Sequence, residues 1–342
     1  MQSPNNGLKL GQEAAPTGSP SSDGGRVAVI IPLHRDTIGF RECLAGCLAL
    51  DYPSFELIVV SDTEIELPSD VRVVITRAGR VTGPGEKRDL GMAAAQCDYF
   101  AFIDDDAVPR SDWLAKAVHT FQDPTIGAVV GPGVTPPGSP WRERAGGAFY
   151  ESWLGSGPYR YRFRPGARRD VDDYPAYNLI VRSRAAEQVK GWGTGFYGGE
   201  DTVICLALVG SGWRIVYDPF VIVYHRRRPI MERHLAQVAN VGRHRGYFVK
   251  AYPQTSLRPS YFLPTFGTVA LFILLVTATM SMAARTALGA ILAIYLVAGV
   301  AFGLAERNEL SVALALPEIV LVSHVVYGLQ FIRGLLTRRL ER

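Results

Sequence analysis

Cysteine is scarce in this 342-residue chain: Cys43, Cys47, Cys97 and Cys205 all stand in apolar surroundings, and none is half of a CxxC pair. Neither a zinc site nor a disulfide framework is suggested, so the catalytic region is expected in a reducing compartment. The opening residues 1–25 lack the continuous apolar core of a secretory signal, and their Ser, Pro, Gly and Asn content predicts a disordered tail. A strong charge imbalance is missing too, since 36 Lys and Arg against 32 Asp and Glu leave a net charge of only +4. Arginine and tyrosine interleave in GSGPYRYRFRPGARRDVDDYPAYN, residues 155–178, but no nucleic-acid motif accompanies them. Nucleic acid is therefore not an expected partner, and this stretch reads as a mobile loop over a site.

What the chain does have is 48% apolar residues, enough for one catalytic domain and an appendage. From Arg26 onward, strand-like runs (VAVIIPLH, FELIVVSD, VRVVIT, YFAFI) alternate with helix-like ones (RECLAGCLALD, EKRDLGMAAAQC). This predicts an α/β domain over residues 26–228 with a mostly parallel, doubly wound sheet. Ligands bind beyond the carboxyl ends of such strands, which puts Asp62 and the cluster Asp104, Asp105, Asp106 on one rim.

If the chain stays extended after Ile103, Asp104 and Asp106 share a face and Asp105 points away. Two hard oxygen donors suit Mg²⁺ or Mn²⁺ completed by water and phosphate oxygens. The alternative is a solvated turn in which an acid or Ser111 caps the next helix. In GPGEKRDLG, Lys87 and Arg88 sit in a helix's first turn, where cations oppose the dipole; an anionic diphosphate would remove that conflict. In GGED, flexible glycines deliver Glu200 and Asp201 to another helix start. There Asp201 serves as a general base, as a helix cap, or as both. Trp141, Trp153 and Trp192 are candidates for stacking on sugar rings or for packing.

The far end differs in kind. Uncharged stretches of 26 residues between Arg258 and Arg285 and of 20 between Arg285 and Glu306 predict spans at 261–283 and 286–305. A third stretch at 310–332 is interrupted by Pro317, Glu318 and His324 and is expected to be partial or interfacial. Residues 229–258 read as a basic amphipathic helix on the membrane surface. Their positive charge places the catalytic region on the cytoplasmic side of a multi-pass protein in the cell (inner) membrane.

Taken in order, VAVIIPLHRD, FELIVVSD, GEKRDLG, IDDDAVP and GGED resemble the motifs of the membrane-anchored family 2 glycosyltransferases, whose GT-A fold binds nucleotide sugars. The resemblance covers about residues 26–225 and departs at Lys87 and Asp89, where the family has a small residue and asparagine. It implies that Pro32, Asp62, Arg88, Asp104 and Asp105 bind the nucleotide sugar, and that Asp106 holds the metal with Asp104. His225 either completes the metal shell or makes an ordinary hydrogen bond. Asp201 is then the base that deprotonates an acceptor hydroxyl, with Glu200 beside it, in a single inverting displacement. GRHRGYF and VVYGLQFIRGLL are similar to exopolysaccharide glycosyltransferases of the succinoglycan type. That similarity implies a lipid-linked or polysaccharide acceptor, its phosphates gripped by Arg243 and Arg245, with membrane lipids as further partners. Direct transfer to polyprenyl phosphate, or a silent nucleotide-binding scaffold, are the alternatives.

Overall fold

The computed structural model describes residues 24–76, 81–193, 198–306 and 308–340. Residues 1–23 of the expected tail, and residues 194–197 of the glycine-rich stretch before Glu200, lie outside the described residues.

The first half alternates as expected: β1 (Val27–Leu33), α1 (Ile38–Leu48), β2 (Phe55–Ser61), β3 (Val71–Ile75), α2 (Pro84–Ala93) and β4 (Tyr99–Phe102). Next come β5 (Ala107–Pro109), α3 (Trp113–Thr120), β6 (Ile126–Val130), β7 (Gly133–Val134), α4 (Trp141–Glu151) and α5 (Trp153–Ser156). The domain closes with β8 (Arg169–Val171), β9 (Leu179–Arg182), α6 (Ser183–Gln188), α7 (Glu200–Gly210), β10 (Arg214–Tyr217) and β11 (Val223–His225). All seven residues of β1 are buried, as a continuous β-branched run requires when helices cover both faces of a sheet.

The main sheet has the order β3-β2-β1-β4-β9-β6-β10-β8. β1 pairs parallel with both β2 and β4, so the chain reverses its direction of build at β1. The ends of β1, β2 and β4 therefore open on the crevice where ligands bind in such folds. The expectation of a mostly parallel sheet holds for β1 to β4, but β9 runs antiparallel to both β4 and β6, and β8 antiparallel to β10. An apolar run such as LIVR reads the same in either direction, so only the route of the chain fixes its sense. A second sheet, β5-β11-β7, sets His225 of β11 opposite Ala107 of β5.

Beyond the domain lie α8 (Glu232–Ala251), α9 (Pro253–Ser256), α10 (Pro259–Thr277), α11 (Met282–Ala305) and α12 (Leu310–Leu336). The last three are long and apolar enough to cross a membrane. Ser260 at the start of α10 bonds Tyr159 at 3.3 Å, and Glu306 after α11 pairs with Arg164 at 2.5 Å. α10 and α11 thus form a hairpin with both free ends on the α/β domain. The most apolar windows of α10 and α11 are each 11% buried, against 44% for α12. The third segment is one continuous helix rather than an interrupted one. Pro317 packs where a side chain on Gly299 of α11 would collide, and His324 links Tyr295 Oη at 2.9 Å to the Leu154 carbonyl at 2.7 Å.

α8 does not lie free on a surface. It runs along α12, where a methyl group on Gly246 would stand 2.1 Å from the Phe331 carbonyl oxygen and one on Gly334 2.1 Å from that of Arg243. Ile230 and Val238 join Ala148 and Phe149 of α4 and Leu316, Ile319 and Val320 of α12 in a second hydrophobic core. Val241 of α8 is 46% exposed.

Candidate active site

β4 ends at Phe102, and the chain does not stay extended through the acids. The Asp104 carbonyl accepts from Ala107 N–H at 3.1 Å, closing a turn. That turn still brings Asp104 and Asp106 together, because β11 then lays His225 beside them. One donor atom from each of the three residues lies within 4.8 Å of the others. His225 Nε2 is 3.1 Å from Asp106 Oδ1, and Arg228 reaches Asp106 Oδ2 at 3.0 Å. Burial alone would raise the Asp106 carboxyl, but His225 and Arg228 hold it down to about 2. Burial, then the charges of Asp106 and Asp104, pushes Asp105 up to about 6.

Two carboxylates and an imidazole on one rim make a donor set that fits Mn²⁺ or Mg²⁺. The imidazole is engaged elsewhere, however. Arg227 Nη1 lies 3.3 Å from His225 Nδ1, and a guanidinium only donates, so Nε2 carries the hydrogen facing Asp106. Tyr177 stacks on the ring at 4.8 Å between centroids. As it stands, His225 braces Asp106. Ligation through Nε2 requires Arg227 to release Nδ1.

At the start of α2, the two cations meet carboxylates from the chain itself. Lys87 Nζ lies 2.6 Å from Asp62 Oδ2 and donates to the Leu33 carbonyl at 2.5 Å. Burial pushes the Asp62 carboxyl up, but hydrogen bonds from Lys87, Thr76 and Thr82 bring it down to about 2. Arg88, 2% exposed, donates to Asp104 Oδ1 at 2.7 Å and to Glu200 Oε1 at 3.1 Å, with its guanidinium 4.5 Å from the centre of the Trp192 ring. The conflict with the helix dipole is thus resolved by acids contributed from β2, β4 and α7. Trp192 is a packing residue. Trp153 lines the cavity described next, and Trp141 bonds Ser311 at 3.0 Å outside it.

Gly198 and Gly199 take φ of +91° and +86°, conformations that L side chains rarely adopt, and a side chain on Gly199 would strike the Phe248 ring. This turn starts α7 at Glu200. Glu200 Oε2 accepts from Gly198 N–H at 2.9 Å, so this residue latches its own turn to Arg88. Among the described residues, Asp201 accepts only from the adjacent Thr202 N–H, at 2.8 Å. Gly199 is the N-cap, and no side chain caps α7. Burial, then the charges of Glu200 and Asp173, raises Asp201 to about 7. A half-buried carboxylate with so high a proton affinity is suited to take up a proton near neutrality.

Asp173 is a residue the sequence did not single out. Its carboxylate, 2% exposed, accepts from Arg245 at 2.6 Å, Arg162 at 3.3 Å and Thr202 Oγ1 at 2.9 Å. Despite burial, the two guanidinium groups hold it well below the usual carboxylate range. The doublet DD in YRFRPGARRDVDDYP was visible, but its partner Arg245 lies 72 residues away. The loop predicted to be mobile is tied down here and by Arg164 on Glu306.

One cavity of about 720 Å³ is lined by Asp104, Asp106, Glu200, Asp201, His225 and Arg245, and also by Leu263, Tyr295, His324 and Tyr327 of α10 to α12. Asp62, Asp105, Arg243 and Pro32 are not among its lining residues; Pro32 is a buried β1 residue opposite Val60.

Residues 28–189 match the family described as Glycosyl transferase family 2. A pre-mycofactocin glycosyltransferase of Mycobacterium tuberculosis is 29% identical over 224 residues, 63% of this chain and 46% of that one. An uncharacterized glycosyltransferase of Haemophilus influenzae is 26% identical over 102 residues, 27% of this chain and 41% of that one. The chain spans less than half the length of these curated relatives. Among solved structures, a mannosyltransferase from Pyrobaculum calidifontis, in complex with GDP-Man and Mn²⁺, shares the fold at a TM-score of 0.57 and 20% identity, covering 90% of this chain and 88% of that one.

Proposed function

We propose that this chain, whose residues 28–189 match Glycosyl transferase family 2 and which has a GT-A-like fold, moves a sugar with inversion from a nucleoside diphosphate onto a hydroxyl of a lipid-linked saccharide or growing polysaccharide. The acceptor is of the kind used in exopolysaccharide synthesis, and transfer takes place at the cytoplasmic face of the membrane. The observation that carries the reading is the shared cavity, in which Asp106 and Asp201 and the apolar helices α10 to α12 line one space.

In this reading the carboxylate of Asp201 takes the proton of the acceptor hydroxyl. The acceptor oxygen forms the new bond to the anomeric carbon while the bond from that carbon to the diphosphate oxygen breaks, and the nucleoside diphosphate leaves. Asp104, Asp106 and, once Arg227 lets go, His225 would hold a divalent ion, which supplies charge stabilisation on the diphosphate when bound. The Mn²⁺ in the Pyrobaculum complex supports that assignment. Glu200 and Arg88 keep the α7 turn and Asp104 at fixed separation. Asp62, fixed by Lys87 and Thr76, is assigned to the nucleotide base at the end of β2. The basic segment before α10 supports a cytoplasmic position for the domain.

The test is to incubate the detergent-solubilised chain with Mn²⁺, separate radiolabelled nucleotide sugars and a membrane lipid extract. Label entering the organic phase is expected. Label appearing only on water-soluble products would overturn the lipid-linked acceptor.

A further inference from the structure

Gln237, Asn240 and His244 follow one another at helical spacing on α8, so one face of the helix presents them together, and all three line the cavity. His244 Nδ1 lies 2.8 Å from the Asn240 carbonyl oxygen. A carbonyl only accepts, so Nδ1 carries the hydrogen and the neutral ring keeps its lone pair at Nε2. Among the described residues, neither this Nε2 nor the Asn240 side-chain amide has a hydrogen-bond partner. Tyr150 Oη donates to Gln237 Oε1 at 3.3 Å, which leaves the NH₂ of that amide open. The polar ends of His244 and Asn240 meet at Gly198, where a methyl group would stand 3.1 Å from His244 Nε2 and 3.5 Å from Asn240 Nδ2. Gly198 belongs to the turn that leads into Glu200 and Asp201 at the start of α7.

These three side chains carry no charge while the imidazole is neutral. Arg245, the cation that α8 adds to the cavity lining, is held by Asp173 at 2.6 Å. A lone pair at Nε2 disfavours an anion, while the amides offer both donors and acceptors, so the matching ligand is neutral and does both at once. Hydroxyl groups have that property. Trp153, 57% exposed, lines the same cavity and offers an aromatic ring for C–H surface. Hydroxyl edges and C–H faces occur together in a saccharide. We propose that His244 and Asn240, with Gln237 beside them, form a saccharide subsite in which Nε2 accepts from one ring hydroxyl and the amides bond its neighbours. It is separate from the rim of Asp104, Asp106 and His225, which stands at the ends of β4 and β11. The helix expected to rest on lipid thus turns a sugar-reading face inward. Because that face abuts the turn before Asp201, the sugar it holds is the one that brings a hydroxyl to the base, and His244 acts as a positioning residue. Assignment of that sugar to the acceptor rests on the transfer reading above; the subsite itself does not.

The test uses the full chain in a sugar-free amine-oxide detergent and saturation-transfer difference NMR, with empty micelles as the blank. The probes are the methyl β-glycosides of glucose, galactose, mannose and N-acetylglucosamine. Ring protons of at least one probe are expected to gain saturation from the parent. Affinity for that probe should fall about three- to tenfold in His244→Asn, whose shorter amide does not reach the place of Nε2, the loss of one neutral hydrogen bond. His244→Gln, whose amide does reach it, should bind close to the parent, and both variants should keep the parent's unfolding temperature. No saturation above the blank for any probe, parent affinity in His244→Asn, or an equal loss in both variants would overturn the subsite. Displacement of the probe by nucleoside diphosphate with Mg²⁺ would place it at the carboxylate rim and overturn the subsite as well. Displacement by the nucleotide sugar alone would assign the subsite to the donor's sugar, and persistence in its presence would assign it to the acceptor; both support a saccharide subsite. His244-dependent binding with label only in the aqueous phase of the transfer assay rejects the lipid-linked acceptor alone. Label in the organic phase without that binding rejects the subsite alone.

Discussion

Arg88 and Glu200, 112 residues apart in the chain, meet at 3.1 Å, and the same guanidinium holds Asp104 at 2.7 Å. One buried cation thus ties the first turn of α2 to the end of β4 and the start of α7, the two places that present acids to the cavity.

Removing that cation leaves two carboxylates unpaired in a poorly solvated place. Arg88→Met is expected to destabilise the domain by about 3 kcal/mol or more, read as a lower unfolding temperature in detergent. Arg88→Lys should recover little, since a single ammonium lacks the planar fork that spans both acids. Full stability in Arg88→Met would show that the bridge is incidental.

Asp201 links activity and stability with opposite signs. With its carboxyl raised to about 7, kcat/KM should fall about tenfold per pH unit below that value, because the protonated acid accepts no proton. Asp201→Asn should remove about 10²–10⁴ of the rate. A raised folded-state pKa means that stability is lost as pH climbs from the unfolded carboxylate value to the folded one. Asp201→Asn should therefore unfold at a higher temperature than the parent at pH 8, with little difference at pH 4. An acid limb centred near 4 would contradict the assignment.

The metal rim makes a prediction that needs no turnover. Mn²⁺ titrated with nucleoside diphosphate and followed by electron paramagnetic resonance should bind the parent and lose at least about tenfold in affinity in Asp106→Asn, a change of about 1.4 kcal/mol. Arg227→Gln weakens the hold on His225 Nδ1 and should leave Mn²⁺ affinity equal or improved. A marked loss in Arg227→Gln would mean that the imidazole acts only by bracing Asp106.

The close approach of α8 and α12 is set by glycines. Gly246→Leu places side-chain atoms into the Phe331 carbonyl and should cost about 1–3 kcal/mol or displace α12. Limited proteolysis between residues 306 and 309 would report the loosened helix. Val241→Leu, on the exposed part of α8, should do neither.

By itself the sequence determined whatever depends on neighbours along the chain. β1, β2 and β4 followed from β-branched apolar runs, the apolar helices from the lack of charge, and the acidic rim from acids standing at strand ends. Its reading brought Asp104 and Asp106 to one side, as the structure does, but through an extended strand where the chain makes a turn; both bring alternate residues to one side. Only the tertiary structure decided the antiparallel sense of β9, the joining of Asp173 to Arg245, and the use of α12 as part of a core shared with α4 and α8. Each depends on contacts between residues far apart in the chain. Residue type fixes what a side chain can bond, and only the folded path fixes which partner is within reach.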